Sequence, residues 1–546
     1  MSVVNIGTSG ISDTFPCYEV SSKYFPTTTI VTLPDDVLLE VFDHYRSIST
    51  SGGDWPRLQG WYKLAHTCHK WRRLVFSSSH RLNLQLRCTF DTRVVSMINH
   101  FPTFPLVLDY GARLLKTWTP DDEDGLLFAL QHLSRANEIM LSAPESTLTE
   151  MTAAMVEAAP KLEHLELHSQ SSEFVLPMSF LGGDAPQLRR LILTGVSLAT
   201  LHPILRYATS LASLVLERIP GAAYFSPDSL VVHIRSMPHL KTLSVSFLSA
   251  IPRPGFRTEP FLPPGQTIPV ELPALTQLIF RGVAAYIEAL LAQIRTPLIQ
   301  DVDIMLFNQL TLRIPRIRAF INDLETFRPT RVRFDFAQTS AYIIVSTSQP
   351  SESPDISLGV SCVSLDFQVS AMSQISRGLF GTSPSEGVLG LPVVEELMLG
   401  FHPGELPKGR LDENTVNPAL WRELLSSFQH VRTLRVHATL VADLSRTLQS
   451  ADRTTVEDEE PEPEEFLLPE LRTVVLLHGE DEGVLAVASQ ALNTLFDGRN
   501  RAGGPINIER RDLNRLSWPS LPVRSSSPLP GTKRTRRISN RKGKAT

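Results

Sequence analysis

The segment APKLEHLELHS, residues 159–169, is the clearest copy of a pattern that runs through most of this chain. It reads leucine, two residues, leucine, one residue, then an apolar residue. The pattern recurs in further segments: APQLRRLILTG (185–195), TSLASLVLER (209–218), MPHLKTLSVSF (237–247), LPALTQLIFRG (272–282), LPVVEELMLGF (391–401), FQHVRTLRVHA (428–438) and LPELRTVVLLH (468–478). Such alternation of apolar and polar residues is typical of a β-strand with one buried face. The sequence therefore predicts a series of similar short strands.

The spacing of these segments resembles that of leucine-rich repeats. The first leucines of five successive segments stand at 162, 188, 211, 240 and 275, at intervals of 26, 23, 29 and 35 residues. These intervals overlap the leucine-rich-repeat range and exceed it where loops are inserted. Helical patterns lie between the strands, as at 283–294 and 417–428, so each unit is predicted to contain a helix, a loop and a strand. Because one unit cannot bury its apolar face alone, successive units are expected to stack.

The repeats depart from the commonest leucine-rich-repeat pattern at the turn after each strand. That pattern has Asn or Cys three residues after the last leucine, where the side chain satisfies backbone groups of the turn. The corresponding residues here are aliphatic: Val196, Ile219, Leu248 and Val283. We therefore expect an irregular solenoid over residues 80–512. Within it, TRVRFDF (330–336) and SCVSLDF (361–367) are interpreted as degenerate strands.

Two helical segments precede the repeats. TLPDDVLLEVFDHY (32–45) begins with Pro34 and two aspartates, which suit the first turn of a helix. WYKLAHTCHKWRRLVF (61–76) is the second pattern, and it is predicted to form one amphipathic helix. Helices this short bury little by themselves, so they need the next domain or a partner.

Residues 31–77 resemble an F-box, which has a leucine-proline helix followed by a cysteine-x-x-tryptophan-arginine segment. The one departure is the distance from Phe42 to Cys68, 26 positions, which is longer than usual because of a Ser/Gly loop. The resemblance implies docking to the Skp-type adaptor of a cullin ubiquitin ligase. The implied adaptor-binding residues are Leu33, Pro34, Val37, Leu38, Val41, Phe42, Cys68 and Trp71. The alternative is that these helices only cap the solenoid.

Polar residues of the predicted strands are the candidate substrate-binding residues. Stacked strands place them on one concave surface, which repeat proteins commonly use for recognition. They are His164, Glu166, His168, Arg190, Thr194, Glu217, Gln277 and Arg281. The alternative for each is a solvated strand residue without a dedicated partner, since only a few interface residues usually dominate binding.

Composition and motifs argue against several other functions. The chain has 546 residues, 20% of them charged, and a net charge of −5, which does not suit a general nucleic-acid-binding protein. No uninterrupted apolar run is long enough for a membrane helix, and the N-terminus does not resemble a secretory signal. The four cysteines are far apart, which favours reduced thiols in a cytoplasmic or nuclear protein: Cys17, Cys68, Cys88 and Cys362.

No motif indicates an enzyme, a cofactor or a metal site. His66 and His69 flank Cys68, but a second ligand pair at suitable spacing is absent, so we interpret them as surface histidines. We find no phosphate-binding loop, nucleophile elbow or H-E-x-x-H motif.

Three segments are predicted to be disordered: the lead-in 1–30, an acidic loop at 453–465, and a basic tail at 513–546. The tail contains a basic cluster that is either a nuclear localisation signal or a nonspecific basic tail: Lys533, Arg534, Arg536 and Arg537.

The sequence thus predicts an α/β protein with a short all-helical F-box-like module, an irregular leucine-rich-repeat solenoid and disordered termini. The resemblance implies a substrate-recognition subunit of an SCF-type ubiquitin ligase, which binds an unidentified protein substrate. The alternative is a repeat scaffold that has no role in ubiquitination.

Overall fold

The structure is a computed structural model. It describes residues 30–50, 60–90, 92–111, 118–171, 174–198, 202–249, 269–324, 327–347, 355–381, 394–401, 417–450, 467–478, 482–501 and 506–512. The lead-in up to residue 29, the acidic loop and the basic tail with its proposed import signal lie outside these ranges. The chain divides into two compact units, 1–208 and 209–546, and this boundary falls inside the range predicted to be one array. Both units are mixed α/β.

The first unit opens with three helices and a short 3-10 turn at Ile30–Thr32. The helices are α1 (Asp35–Thr50), α2 (Gly60–Ala65) and α3 (His69–Ser77). The prediction of one continuous helix over 61–76 is wrong, because the chain leaves the helical conformation between α2 and α3. There the Thr67 hydroxyl donates to the Lys63 carbonyl (2.9 Å), and Cys68 is extended and caps α3. Such local side-chain bonds to the backbone compete with helix continuation.

The remainder of the first unit is a parallel sheet with helices in its connections. Its strands are hydrogen-bonded in chain order: β1 (Leu86–Cys88), β2 (Leu106–Tyr110), β3 (Ala136–Ala143), β4 (His164–Ser169) and β5 (Arg190–Thr194). The helices are α4 (Val94–His100), α5 (Pro120–Leu130), α6 (Glu145–Ala154) and α7 (Pro203–Tyr207), with 3-10 turns at Leu133–Arg135 and Phe180–Gly183. Along β4, buried Leu165 and Leu167 alternate with polar residues, so one strand face contributes to the core.

The second unit contains a larger, mostly parallel sheet. Its strands are β6 (Ser213–Ile219), β7 (Thr242–Phe247), β8 (Val270–Glu271), β9 (Gln277–Gly282), β10 (Ile294–Arg295), β11 (Asp301–Phe307), β12 (Arg331–Phe336), β13 (Ala341–Ser346), β14 (Asp355–Ser361), β15 (Glu396–Phe401), β16 (Thr433–His437), β17 (Thr473–His478) and β18 (Asn507–Asp512). The order in the sheet is β6-β7-β9-β11-β14-β13-β12-β15-β16-β17-β18, and β8 and β10 pair separately.

Seven helices are described in the second unit, and their apolar faces are buried. They are α8 (Pro227–Ile234), α9 (Ala284–Leu291), α10 (Pro315–Asn322), α11 (Leu365–Phe380), α12 (Pro418–Leu425), α13 (Val441–Ser450) and α14 (Glu482–Arg501), with 3-10 turns at Gly221–Ala223 and Ala438–Leu440. The helices predicted within 283–294 and 417–428 are confirmed as α9 and α12. Tyr286 of α9 and Trp421 of α12 are fully buried.

The regular succession of parallel strands is interrupted in the middle of the second unit. The strand β13 is antiparallel to both of its neighbours, β12 and β14. The prediction of a strand at TRVRFDF is confirmed by β12, but the strand predicted at SCVSLDF (361–367) is wrong. There β14 ends at Ser361 and α11 begins at Leu365, because the apolar residues after Leu365 continue at helical spacing.

Candidate partner-binding surfaces

The helix α1 is held firmly against the rest of the first unit. Lys70 of α3 donates from Nζ to the Leu33 carbonyl (2.9 Å) and lies 3.3 Å from Asp35 Oδ1. Arg81 forms ion pairs with Asp36 (3.7 Å) and with Glu40. The carboxylates Asp35 and Asp36 also lie in the first helical turn, where the helix dipole favours negative charge. Lys70 and Arg81 therefore join the start of α1 to later residues through a hydrogen bond and surface ion pairs.

The predicted adaptor-binding residues of α1 divide between two faces of the helix. Leu38 and Phe42 are fully buried, so these two side chains hold α1 in place and are not available to a partner. Val37 and Val41 are 44% and 41% exposed. Because residues four apart share a helix face, these two valines form an aliphatic stripe on the solvent side. Tyr45 extends this spacing by one further turn and is also exposed.

The other predicted adaptor-binding residues surround this helix. Pro34 is exposed and Leu33 is half-buried, directly before α1. Cys68 is not part of a continuous apolar stripe, because its sulfur accepts from the Trp71 backbone N–H (3.5 Å) as the cap of α3. The half-buried Trp71 ring lies edge-on to Phe42. Trp71 therefore packs against α1 and Cys68 caps α3, whereas the two valines face solvent.

Three predicted substrate-binding residues cluster around one carboxylate on β4. The Glu166 carboxylate lies between two imidazoles, with His168 Nε2 at 3.0 Å from Oε1 and His164 Nε2 at 3.6 Å from Oε2. The adjacent imidazoles of His164 and His168 lower the pKa of the Glu166 carboxyl from its usual 4.5 to about 2. This carboxylate therefore stays charged over the whole physiological pH range.

Arg190 and Thr194 lie beside this cluster on β5, but only one of them is exposed. The register places Arg190 next to His164 and Thr194 next to His168. Arg190 is exposed, whereas Thr194 is 4% exposed, so the prediction that Thr194 faces solvent is wrong. Thr194 is the last residue of β5, and the chain turns directly after it at Gly195 (φ 68°). The strand alternation alone therefore does not predict the exposure of Thr194.

The remaining predicted residues belong to the second unit. Glu217 is exposed on β6, where the register with β7 shifts after Leu216. On β9, Gln277 donates to Asp301 Oδ2 (2.7 Å) across to β11, and Arg281 is half-buried on the same strand face. The structure thus brings Gln277 and Arg281 together on one strand, and it places Glu217 on another.

Several polar residues of the second unit's strand face were not predicted from the leucine pattern. Arg331 of β12 pairs with Glu396 of β15 (2.9 Å), and Arg435 of β16 pairs with the same carboxylate. Arg333 pairs with the fully buried Asp335 (2.8 Å). The alternation in TRVRFDF contained this signal, since it places Arg331, Arg333 and Asp335 on one strand face.

The described ranges contain no group of three His, Cys, Asp or Glu side chains that could hold a metal ion. His66 and His69 are both exposed, and the cysteines at 68, 88 and 362 are free. Burial raises the pKa of the Cys88 thiol to about 12, so it is not a reactive thiolate. None of the helices in the described ranges has the length and apolar character needed to cross a bilayer.

Comparison with known proteins does not assign the chain to a family. No protein-family model matches it, and no curated protein is significantly similar to it.

Proposed function

We propose that this protein is a non-catalytic receptor that joins a substrate to a cullin-based ubiquitin ligase. In this proposal residues 31–77 act as an F-box that docks a Skp-type adaptor. The polar strand faces of an irregular leucine-rich-repeat solenoid bind a protein substrate. The receptor makes and breaks no bonds; it raises the effective concentration of the substrate near the ubiquitin-charged enzyme.

The observation that carries the proposal is the solvent-facing aliphatic stripe of α1. Two faces of this helix are apolar: Leu38 and Phe42 are buried, whereas Val37 and Val41 are exposed. Burying a valine side chain is worth about 1.5 kcal/mol or more, so an exposed pair on a fixed helix is a source of binding energy. An apolar stripe at helical spacing is also the usual recognition element in helix-mediated docking.

The alternation of helices and parallel strands supports the repeat part of the proposal. In β4 and β9 the strand leucines are buried, and the other strand face carries polar residues. The strand face of a repeat array is a common recognition surface. This arrangement supports a substrate-binding role for residues such as Glu166 and Arg281.

The test is a pull-down of a purified Skp-type adaptor by the full-length protein. The informative variant is Val37→Asp/Val41→Asp, because it places charge on the stripe without removing a buried side chain. We expect the parent to retain the adaptor and the variant to lose at least about tenfold in affinity, since each lost 1.4 kcal/mol is a factor of ten.

A matched control is Val95→Asp on α4. Val95 is 43% exposed, close to the value for Val41, and it lies outside residues 31–77. This control should bind the adaptor like the parent. A well-folded parent that does not bind would overturn the ubiquitin-ligase proposal and leave a repeat scaffold whose first helices are only a cap.

A further inference from the structure

Five strands in the middle of the second unit align one row of side chains on the polar face of the sheet. The register pairs Arg281 with Met305, Met305 with Gly359, Gly359 with Tyr342, and Tyr342 with Asp335. The row includes the antiparallel strand β13, which contributes Tyr342. Residues far apart in the chain therefore form a continuous surface here.

The centre of this row is apolar because Gly359 has no side chain. A Cβ atom at Gly359 would lie 2.8 Å from Met305 Cε and 2.9 Å from Tyr342 Cδ1. The Met305 thioether and the Tyr342 ring therefore cover Gly359 from the two neighbouring strands. Met and Tyr are both enriched in the buried centres of protein interfaces. An apolar spot of this kind on a polar strand face is suited to hold a large apolar side chain of a partner.

Arg281, at one end of the row, lacks a counter-charge. It has no hydrogen bond or ion pair with any residue that the structure describes, although it is half-buried. The arginines of β12 and β16 are satisfied by carboxylates of their own sheet, as described above. A partly desolvated guanidinium without a partner is costly, and a carboxylate from outside can satisfy it with two parallel hydrogen bonds.

The surrounding charges favour a single negative charge in the bound group. Arg281 is one cation, whereas recognition of phosphate typically uses several arginines. The neighbouring strand β11 contributes the carboxylates Asp301 and Asp303 on the same face, four and two residues before Met305. These carboxylates would repel a dianionic phosphate more strongly than a carboxylate.

We propose that the row Arg281–Met305–Tyr342 binds an extended segment of a partner protein in which an Asp or Glu lies close to a large apolar residue. The carboxylate pairs with Arg281, and the apolar side chain packs on Met305 and Tyr342 above Gly359. This inference rests on the proposed function, because it names the class of segment that the strand face recognises.

The test uses pools of twelve-residue synthetic peptides with a fixed centre and random flanks. The fixed centres are Leu-x-Glu, Leu-x-Gln and Leu-x-phosphoserine. Full-length protein on a resin is incubated with each pool, and the retained peptide is quantified by mass spectrometry. We expect the Glu pool to be retained about tenfold more than the Gln pool, because a charged bidentate bond is replaced by a neutral one.

Two arginine variants connect this preference to the row. Arg281→Leu should abolish the preference for the Glu pool. Arg295→Leu is the matched control, because Arg295 is an exposed arginine without a side-chain partner among the described residues, and it lies on β10, outside the row. Equal retention of the Glu and Gln pools by the parent would overturn the inference. An equal loss of the Glu preference in both arginine variants would also overturn it. Preferential retention of the phosphoserine pool would overturn the assignment of a carboxylate.

A third variant tests the apolar centre. Tyr342→Ala should reduce the retention of the Leu-x-Glu pool to that of an Ala-x-Glu pool. If Tyr342→Ala still retains the Leu-x-Glu pool better than the Ala-x-Glu pool by as much as the parent does, the proposed role of Tyr342 is contradicted. The adaptor pull-down separates this inference from the proposed function: adaptor binding without a Glu preference overturns the inference alone, and a Glu preference lost in Arg281→Leu supports it even if the adaptor does not bind.

Discussion

The Phe42 ring meets the edge of Trp71 with ring centroids 4.8 Å apart and an interplanar angle of 63°. This contact joins α1 to α3, and Phe42 is fully buried in it. Edge-to-face aromatic pairs contribute about 1 kcal/mol beyond the area that they bury. The position of the exposed valine stripe therefore depends on a buried residue on a neighbouring face of the same helix.

The first prediction follows from this contact. Phe42→Ala should destabilise α1 by about 3 kcal/mol or more, because it removes a buried aromatic side chain and leaves a cavity. Hydrogen–deuterium exchange of the backbone amides in 35–45 should accelerate by about two orders of magnitude. Val41→Ala is the control, and exchange in that variant should stay close to the parent. Similar acceleration in both variants would contradict the division of α1 into a buried and an exposed face.

The division of α1 into a buried and an exposed face also decides which variants can test adaptor binding. A variant at Phe42 loses binding if the helix unfolds, whether or not an adaptor contacts it. Val37 and Val41 are exposed, so both can be changed without removing the buried Phe42 ring that contacts Trp71.

The strands within the leucine segments could be predicted from sequence because their signal is local. In LEHLELHS, alternate leucines suffice to place Leu165 and Leu167 in the core and Glu166 on the other face, and β4 has this arrangement. The same holds for Gln277 and Arg281 on β9. A period of two residues determines which side chains share a strand face, without reference to the rest of the chain.

Other features depend on distant residues and could not be predicted in this way. Val41 and Phe42 are both apolar and adjacent in α1, and which of them is buried is decided by the position of α3. The antiparallel strand β13 has no leucine signature, and its place between β12 and β14 brings Tyr342 beside Gly359. The row that contains Arg281 and Met305 is therefore a product of strand order, which local periodicity does not contain.

The second prediction concerns Glu166 and pH. Because the pKa of this carboxyl is about 2 in the folded protein and 4.5 normally, the unfolded chain takes up the proton first as the pH falls. The carboxylate therefore stabilises the fold fully above about pH 4.5, and this contribution is lost as the pH falls towards 2. Glu166→Gln should lower the free energy of unfolding by about 1–3 kcal/mol at pH 6.

Urea denaturation of the parent and of Glu166→Gln at pH 6, 4.5 and 3 checks this prediction. The difference between the two proteins should shrink from pH 4.5 to pH 3. Glu163→Gln is the control, since Glu163 is an exposed neighbour whose carboxylate lies 4.0 Å from Arg189 Nε. A difference that is constant across the three pH values would show that the imidazoles do not stabilise the charged form.

The third prediction concerns the start of α10. The Glu288 carboxylate, on α9, accepts from the backbone N–H groups of Arg316 (2.7 Å) and Ile317 (2.9 Å). It thus satisfies two donors that have no partner within α10. Glu288→Ala should cost about 1–2 kcal/mol, as the loss of a helix cap does.

Glu288→Gln should be milder than Glu288→Ala. The amide keeps one oxygen acceptor, and burial raises the pKa of the Glu288 carboxyl, so the neutral side chain avoids part of the cost of burying a charge. Chemical denaturation and hydrogen exchange over 315–322 measure both effects. Equal losses in the two variants would argue that charge, rather than an acceptor atom, is what α10 requires.

The fourth prediction concerns the ion pair between Arg87 of β1 and Asp109 of β2. Arg87 Nε donates to Asp109 Oδ2 at 3.0 Å, and the two side chains are only 13% and 6% exposed. At such burial the attraction between the charges is opposed by the cost of removing both from water. Arg87→Met leaves Asp109 buried without its cation and should lower the free energy of unfolding by about 3–5 kcal/mol.

The double variant Arg87→Met/Asp109→Leu removes both charges and should recover most of that loss, because apolar side chains of similar size often replace a buried ion pair at little cost. The double-mutant cycle, completed by Asp109→Leu alone and measured by urea denaturation, isolates the coupling between the two residues. If the effects of the two single variants simply add, the strands β1 and β2 are held together by their backbone bonds and apolar core, and the ion pair contributes nothing of its own.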